Sequence, residues 1–197
     1  MPFLNVTVDG TAVATVDTNG RDIVTVRVGG SRDDEDFADL SVTGGIYDQS
    51  GTTEHRIWVD QMHLAAGQII GVEFLTEASP RGEGKTIEEL YPDLPEYRVP
   101  TPVDRAELAA EIRQLPLVRD GFTLRLVGSD GVSATYATAS EEHGFGFSVL
   151  WNRQRPDRIS VSLSCYTIDS VATETPGRTL ASQKMPLPGR VHLELVA

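Results

Sequence analysis

Apolar and polar residues alternate in several short stretches of the first third of the chain. The alternation covers residues 4–8, 24–28, 40–42, 57–59 and 70–74, and an Asp9–Gly10 pair follows the first stretch. Successive side chains of a strand point to opposite faces of a sheet, so alternation with period two predicts strands with one buried face. Because Asp-Gly pairs favour tight hairpin turns, we expect the chain to reverse direction after the first strand.

The last third of the chain repeats this order of alternating stretches. They cover residues 122–126, 145–151, 159–165 and 191–195, and matching stretches are offset by about 119 to 122 positions throughout. We interpret the repeat as an internal duplication, with a first β unit at 1–76 and a similar second β unit at 120–197. Short strands separated by turn residues are typical of small sandwiches and barrels. The predicted fold class is therefore all-β and mainly antiparallel, built from two such units.

The segment between the units, residues 77–119, is rich in proline and has a different pattern. Proline ends strands and stiffens connections, so we expect a partly helical connector here. A helix near residues 102–115 is predicted, with Thr101 as its N-cap and Pro102 at its first position. Leu108, Ile112 and Leu115 recur at helical spacing and form one apolar stripe that could dock on the β units.

One set of positions in the first unit resembles a group of small uncharacterised bacterial all-β proteins. The pattern is V-x-G-G, then a tryptophan, then L-x-x-G-Q-I-I-x-V, and it rests here on Val42, Gly44, Gly45, Trp58, Leu64, Gly67 and Ile70. Those proteins usually have an aspartate where this chain has Gln68, and the second unit has neither the Gly-Gly pair nor the matching tryptophan. The resemblance covers about a third of the chain and implies an all-β fold only, with no known activity.

Charge narrows the choice of partner. The chain has a formal net charge of −12, of which residues 1–76 carry −8. Because nucleic acid binding needs a basic surface, we expect no nucleic acid partner. The sequence has no apolar stretch of membrane-spanning length, no visible signal peptide and a single cysteine, so we expect a cytoplasmic protein without a membrane partner.

Two loops at corresponding positions of the two units carry opposite charge. We call residues 31–39 the acidic loop and residues 152–158 the basic loop. The acidic loop holds Asp33, Asp34, Glu35, Asp36 and Asp39 beside Arg32, and the basic loop holds Arg153, Arg155 and Arg158 beside Asp157. Loops of opposite charge could pair head to tail between molecules, or the acidic loop could bind a protein partner with a basic surface. Independent drift of two exposed loops remains the alternative.

Four other motifs give weaker indications of a functional site. Residues 79–86, SPRGEGKT, match the end of a phosphate-binding loop, but Ser79 replaces its first glycine, so we interpret the segment as a surface loop. His55, Asp60 and His63 are too scattered along a strand to predict a metal site. We expect residues 141–143, Glu-Glu-His, to form a solvated loop and Cys165 to lie in the core rather than act as a nucleophile. The sequence predicts no cofactor.

The preferred functional hypothesis is a non-enzymatic protein-binding or assembly module, in one version an acidic inhibitor or immunity-type protein. The first alternative is a small-ligand or carbohydrate-binding protein in which Tyr47 and Trp58 supply ring surfaces. The second is a hydrolase whose site is assembled from loops of both units. Fold alone does not decide among these classes.

Overall fold

A computed structural model describes residues 1–48, 51–79, 82–93, 104–129 and 131–197. The described part of the first unit contains six strands: β1 (Phe3–Val8), β2 (Thr11–Asp17), β3 (Ile23–Ser31), β4 (Ala38–Asp48), β5 (Gly51–Leu64) and β6 (Ile69–Leu75). Two short helices follow, α1 (Ile87–Leu90) and α2 (Arg105–Ile112). The rest of the chain forms β7 (Thr123–Gly128), β8 (Ser133–Ala137), β9 (Gly144–Asn152), β10 (Arg158–Tyr166), α3 (Ile168–Thr173), β11 (Arg178–Pro186) and β12 (Arg190–Val196).

The twelve strands of the described residues form two sheets, and each sheet takes three strands from each unit. The first sheet has the order β2-β1-β6-β12-β7-β8, and the second has the order β11-β10-β9-β3-β4-β5. Neighbouring strands pair antiparallel in both sheets. The prediction of a mainly antiparallel all-β fold is confirmed.

The strand order of each sheet is unchanged when every strand of the first unit is exchanged with its counterpart in the second. Under this exchange β1 to β6 correspond to β7 to β12, and the centre of each sheet lies at the β6–β12 and β3–β9 pairs. An internal duplication would produce this arrangement. The duplication itself stays a prediction from the sequence.

The inward faces of both sheets contribute to one apolar cluster. Strand β10 shows the cause most clearly, because Ile159, Val161, Leu163 and Cys165 are buried while the serines between them are half-buried. The largest fully buried side chains come from both sheets and include Trp151, Phe74, Phe145 and Phe147. Removing this apolar surface from water stabilises the fold by about 25 cal/mol per Å².

Three strands carry no clear signal in the sequence. Strands β2, β8 and β11 lie at sheet edges, where β8 and β11 are largely exposed on both faces. Strands that are exposed on both faces, such as β8 and β11, lose the polar–apolar alternation. Strand β2 lacks a clear alternation of burial for a different reason, since three consecutive residues, Ala14, Thr15 and Val16, are all buried.

The connector helix is shorter than its sequence pattern predicts. It spans Arg105–Ile112, and its N-cap is Asp104, whose carboxylate accepts the backbone N–H groups of Ala106 and Glu107. The predicted cap at Thr101 and the proline at 102 lie outside the described residues. The only residue of α2 that is buried is Ala109, and Leu115 lies beyond the helix with 49% of its surface exposed. The helix packs on α3, with an ion pair of 2.7 Å between Arg105 and Glu174.

Candidate functional site

The acidic and basic loops lie at opposite ends of the second sheet. Strands β3 and β9 run antiparallel at its centre, with Ser31 opposite Gly144 at one end and Ile23 opposite Asn152 at the other. The acidic loop follows Ser31, and the basic loop begins at Asn152. We call these regions the acidic end and the basic end.

The two loops have matching backbone hydrogen bonds at positions that are 121 residues apart. At the acidic end, the backbone N–H of Arg32 donates to His143 O over 2.9 Å, and that of Asp34 donates to Ser31 O over 3.4 Å. At the basic end, the backbone N–H of Arg153 donates to Asp22 O over 2.8 Å, and that of Arg155 donates to Asn152 O over 3.2 Å. The loops therefore share these backbone hydrogen bonds at their start.

The matched residues His143 and Asp22 each pair with a loop side chain at their own end, but the two loop partners are not at matching positions. At the acidic end, Asp33 Oδ1 lies 2.7 Å from His143 Nε2, and only 6% of the histidine side chain is exposed. At the basic end, Arg153 Nη1 lies 3.5 Å from Asp22 Oδ1, with the arginine largely exposed. Burial acts to raise the pKa of Asp33, but hydrogen bonds from Ser31, its own backbone and His143 outweigh burial and hold that pKa below its usual value.

Arg119 fixes the backbone of the acidic loop. Its guanidinium donates to the carbonyl oxygens of Asp34, Glu35 and Asp36 over 2.5, 3.0 and 2.9 Å. The same group lies over the ring of Phe37 at 5.3 Å and over that of Phe122 at 5.5 Å. With its carbonyls bound inward, the loop is held in one conformation. This clamp was not foreseen, because Arg119 is about 85 positions away in sequence.

The acidic side chains of the loop have different surroundings. Asp33 is bound to His143, and Asp36 Oδ2 lies 2.8 Å from Nδ1 of His63. Asp34 is exposed and its carboxylate accepts the backbone N–H of Asp36 over 3.1 Å. Glu35 is exposed, and its carboxylate forms no ion pair within the described part of the chain. Asp34 and Glu35 are therefore the carboxylates that this end presents to a partner.

The basic loop presents one arginine without an ion pair. Arg158 binds the carboxylate of its neighbour Asp157 over 3.2 and 2.7 Å, and this hydrogen bonding lowers the pKa of Asp157. Arg153 is held by Asp22. Arg155 is exposed and forms no ion pair with any described residue, so its charge is directed at solvent or at a partner.

The prediction that residues 141–143 form a solvated loop is wrong for two of its three residues. Glu142 and His143 are 4% and 5% exposed. Glu142 accepts two hydrogen bonds of 2.7 Å from Arg178, which lower its pKa, and it also accepts the backbone N–H of Ala139. The partner arginine is 36 positions away, so local sequence gave no signal of this pairing.

Cys165 is buried, as predicted, with 1% of its surface exposed. Burial, with the nearby charge of Glu142, raises the pKa of the thiol to about 11. A thiol in this environment stays protonated near neutral pH, so it is a poor nucleophile.

The structure separates the two rings of the small-ligand hypothesis. A side chain at Gly44 would meet the Trp58 ring at 3.1 Å, and one at Gly45 would meet the Tyr47 ring at 3.2 Å. Because consecutive residues of a strand face opposite sides, the rings of Trp58 and Tyr47 lie against opposite sides of β4.

Trp58 instead lines a cavity of about 430 Å³ at the edge of the second sheet. Residues 82–85 of the SPRGEGKT segment line this cavity, because Lys85 pairs through its backbone with Ile57 of β5 and Gly84 packs on the Trp58 ring. Asp60, Glu83 and Lys85 also line it. Pro80 and Arg81 of the segment lie outside the described residues.

A second cavity, of about 510 Å³, lies at the basic end and was not predicted. We call it the basic-end pocket. Its lining is mostly apolar and comes from four places in the chain: Met1 and Pro2, residues 74–76 at the end of β6, Pro156 and Asp157, and Leu187 and Pro188. Residues so far apart in sequence give no linear signal, which is why pattern analysis missed the pocket.

Within the described residues, no helix is long and apolar enough to cross a membrane, and no group of three or more His, Cys, Asp or Glu side chains is arranged to hold a metal ion. Comparison of the chain with protein-family models, with curated proteins and with solved structures gave no match in any of the three.

Proposed function

We propose that the chain is a non-enzymatic protein-binding module whose acidic end contacts a basic surface of its partner. The observation that carries this proposal is the pair of exposed carboxylates, Asp34 and Glu35, on a loop whose backbone is fixed by Arg119. A fixed loop loses little conformational freedom on binding, and exposed charge of one sign steers a partner of the opposite sign. An inhibitor or immunity-type role is one form of this function.

The test is capture of partners by the tagged chain from a lysate of its source organism at low and high salt, read by mass spectrometry. We expect a stoichiometric partner that salt releases, because exposed charges are screened. The variant Glu35→Lys should lose this partner. The matched variant Glu77→Lys makes the same charge change at an exposed position outside the acidic loop and should retain it. Equal capture by the two variants, or no partner at either salt concentration, would contradict the proposal.

The cavity beside Trp58 supports a second candidate function, the binding of a small polar ligand. An aromatic ring, a lysine and two carboxylates around about 430 Å³ provide both a stacking surface and hydrogen-bonding groups. Titration of tryptophan fluorescence with a panel of sugars and small cations tests it, with Lys85→Ala as the variant. The other tryptophan, Trp151, is fully buried, so a ligand-dependent change reports on Trp58. An unchanged spectrum across the panel would exclude these ligands.

A further inference from the structure

The basic-end pocket is open where the matching space at the acidic end is filled. At the acidic end, Phe122 is 3% exposed and its ring packs against Phe37 at 5.2 Å and Phe145 at 4.8 Å. The corresponding position at the basic end is Pro2. The carbonyl oxygen of Phe122 accepts the backbone N–H of Thr138, and the carbonyl oxygen of Pro2 accepts the backbone N–H of the matching threonine, Thr18. A proline in place of a phenylalanine leaves apolar walls exposed, and Phe74, Leu187 and Pro188 line the resulting pocket.

The acidic end carries a matching apolar projection. Leu115, Leu117 and Val118 expose 49%, 53% and 49% of their surfaces. They are three of the eight exposed large hydrophobic residues among the described positions, and they fall within four consecutive residues. Such a concentration of exposed apolar surface is typical of an interaction site. We call residues 115–118 the apolar projection.

The apolar projection is held in place beside the acidic loop. Val118 N–H donates to Arg32 O over 2.8 Å, and the next residue, Arg119, binds the loop carbonyls. The backbone is therefore anchored while the side chains of Leu117 and Val118 face outward. A projection that is already ordered before it binds a partner loses less entropy on binding.

Shape and charge are complementary between the two ends. One end offers an apolar projection beside the exposed carboxylates of Asp34 and Glu35. The other offers a mostly apolar pocket, lined in part by Asp157, next in sequence to the exposed guanidinium of Arg155, which forms no ion pair with a described residue. The acidic and basic ends lie at opposite ends of strands β3 and β9, so they cannot contact each other within one molecule. They can contact each other between two molecules. Such head-to-tail contacts repeat without closing unless the rotation between copies forms a ring.

We propose that the chain assembles head to tail, with Leu117 and Val118 of one copy seated in the basic-end pocket of the next and Glu35 facing Arg155. This assembly deepens the proposed protein-binding function and rests on it, because the acidic end is the same binding surface. It names the partner as a second copy of this chain.

Sedimentation equilibrium of the full chain over a concentration series tests the assembly. We expect the weight-average mass at low salt to rise beyond twice the monomer mass of 21.4 kDa, and to fall as salt increases. Two variants block one end each: Leu117→Asp at the projection and Thr76→Trp, which fills the pocket from an exposed position on its rim. Each variant alone should stay monomeric. Val132→Asp, a control at a position that is 67% exposed and belongs neither to the lining of the basic-end pocket nor to the apolar projection, should assemble like the unmodified chain.

Mixing the variants separates head-to-tail contact from other modes of association. The variant Leu117→Asp keeps a working pocket and Thr76→Trp keeps a working projection, so an equal mixture should form a dimer of twice the monomer mass and grow no further. Glu35→Arg and Arg155→Glu should likewise fail to assemble alone and assemble when mixed. A mixture that stays monomeric, or single variants that assemble fully, would overturn the proposal.

Failure of this inference is distinguishable from failure of the proposed function. An unmodified chain that is monomeric at all concentrations overturns head-to-tail assembly, while capture of a different partner through Glu35 would still support a protein-binding module. Assembly that the Leu117→Asp and Thr76→Trp variants leave unchanged overturns the assignment of the projection and the pocket.

Discussion

Replacing Arg119 with methionine removes the guanidinium that clamps the acidic loop and keeps most of the apolar stem of the side chain. The variant loses three hydrogen bonds to loop carbonyls and the contacts with the rings of Phe37 and Phe122. We expect a marked loss of stability, because three carbonyl groups then depend on water alone for hydrogen bonding.

The size of the loss follows from the surroundings of the group. Hydrogen bonds to a charged group contribute about 1.5–3 kcal/mol each, and a half-exposed arginine falls at or below the low end of that range. Contact of the cation with an aromatic ring adds about 0.5–1 kcal/mol at exposed sites. Since methionine retains part of the packing on the rings, we expect Arg119→Met to lower the free energy of unfolding by about 2–4 kcal/mol.

Urea unfolding at high salt and low protein concentration measures this change without a contribution from assembly. The matched control is Arg113→Met, since Arg113 pairs with Asp169 in an exposed ion pair near the same connector helix. Exposed pairs contribute about 0–1 kcal/mol, so the control should lose less than about 1 kcal/mol. A loss for Arg119→Met no larger than that of the control would refute the clamp as a stabilising element.

Three further predictions concern pH, packing and thiol chemistry. The pKa values of Asp33 and Glu142 are held below 3.8 and 4.5, their ordinary values. The stability that each carboxylate contributes is therefore complete above its ordinary pKa and is lost as pH falls through the lower pKa of the folded state. Acid unfolding followed by circular dichroism should show a plateau of stability above about pH 5 and a decline below about pH 4, and Glu142→Gln should make that decline smaller. Gly144→Ala should destabilise the fold strongly, because the new Cβ would lie 2.3 Å from the carbonyl oxygen of Gly30, whereas Gly146→Ala, whose nearest contact would be 3.9 Å away, should cost less than about 1 kcal/mol in thermal unfolding. Cys165, with a pKa of about 11, should resist alkylation at pH 8 until urea unfolds the chain, and rapid labelling of the folded protein would contradict its burial.

The strands with one buried face could be predicted from the sequence, and those without one could not. In β9, Phe145, Phe147 and Val149 alternate with small or polar residues because one face of the strand lies in the core. In β8, four of the five residues are exposed, so their order carries no information about a buried face. The same reasoning applies to the edge strand β11.

The candidate site was predictable in its charges and not in its contacts. The opposite charges of the acidic and basic loops come from residues that are close together in sequence, so they are visible without a structure. The alternating pattern of β3 and β9 locates the strand ends from which the two loops start. The bonds of Asp33 to His143 and of Arg119 to the loop join residues from distant parts of the chain. Their geometry depends on the pairing of β3 with β9, which no local pattern specifies.

The symmetric strand order of the two sheets has a consequence for fragments that contain only one of the two units. Among the strand pairs of the described residues, only β6–β12 in the first sheet and β3–β9 in the second join the two units, so a cut between α1 and α2 would leave each fragment with an unpaired strand edge on both of its half-sheets. Those edges, with the apolar faces behind them, are complementary to the other fragment. The two fragments are therefore suited to split-protein complementation, in which co-expressed halves rebuild the fold without a covalent link between them.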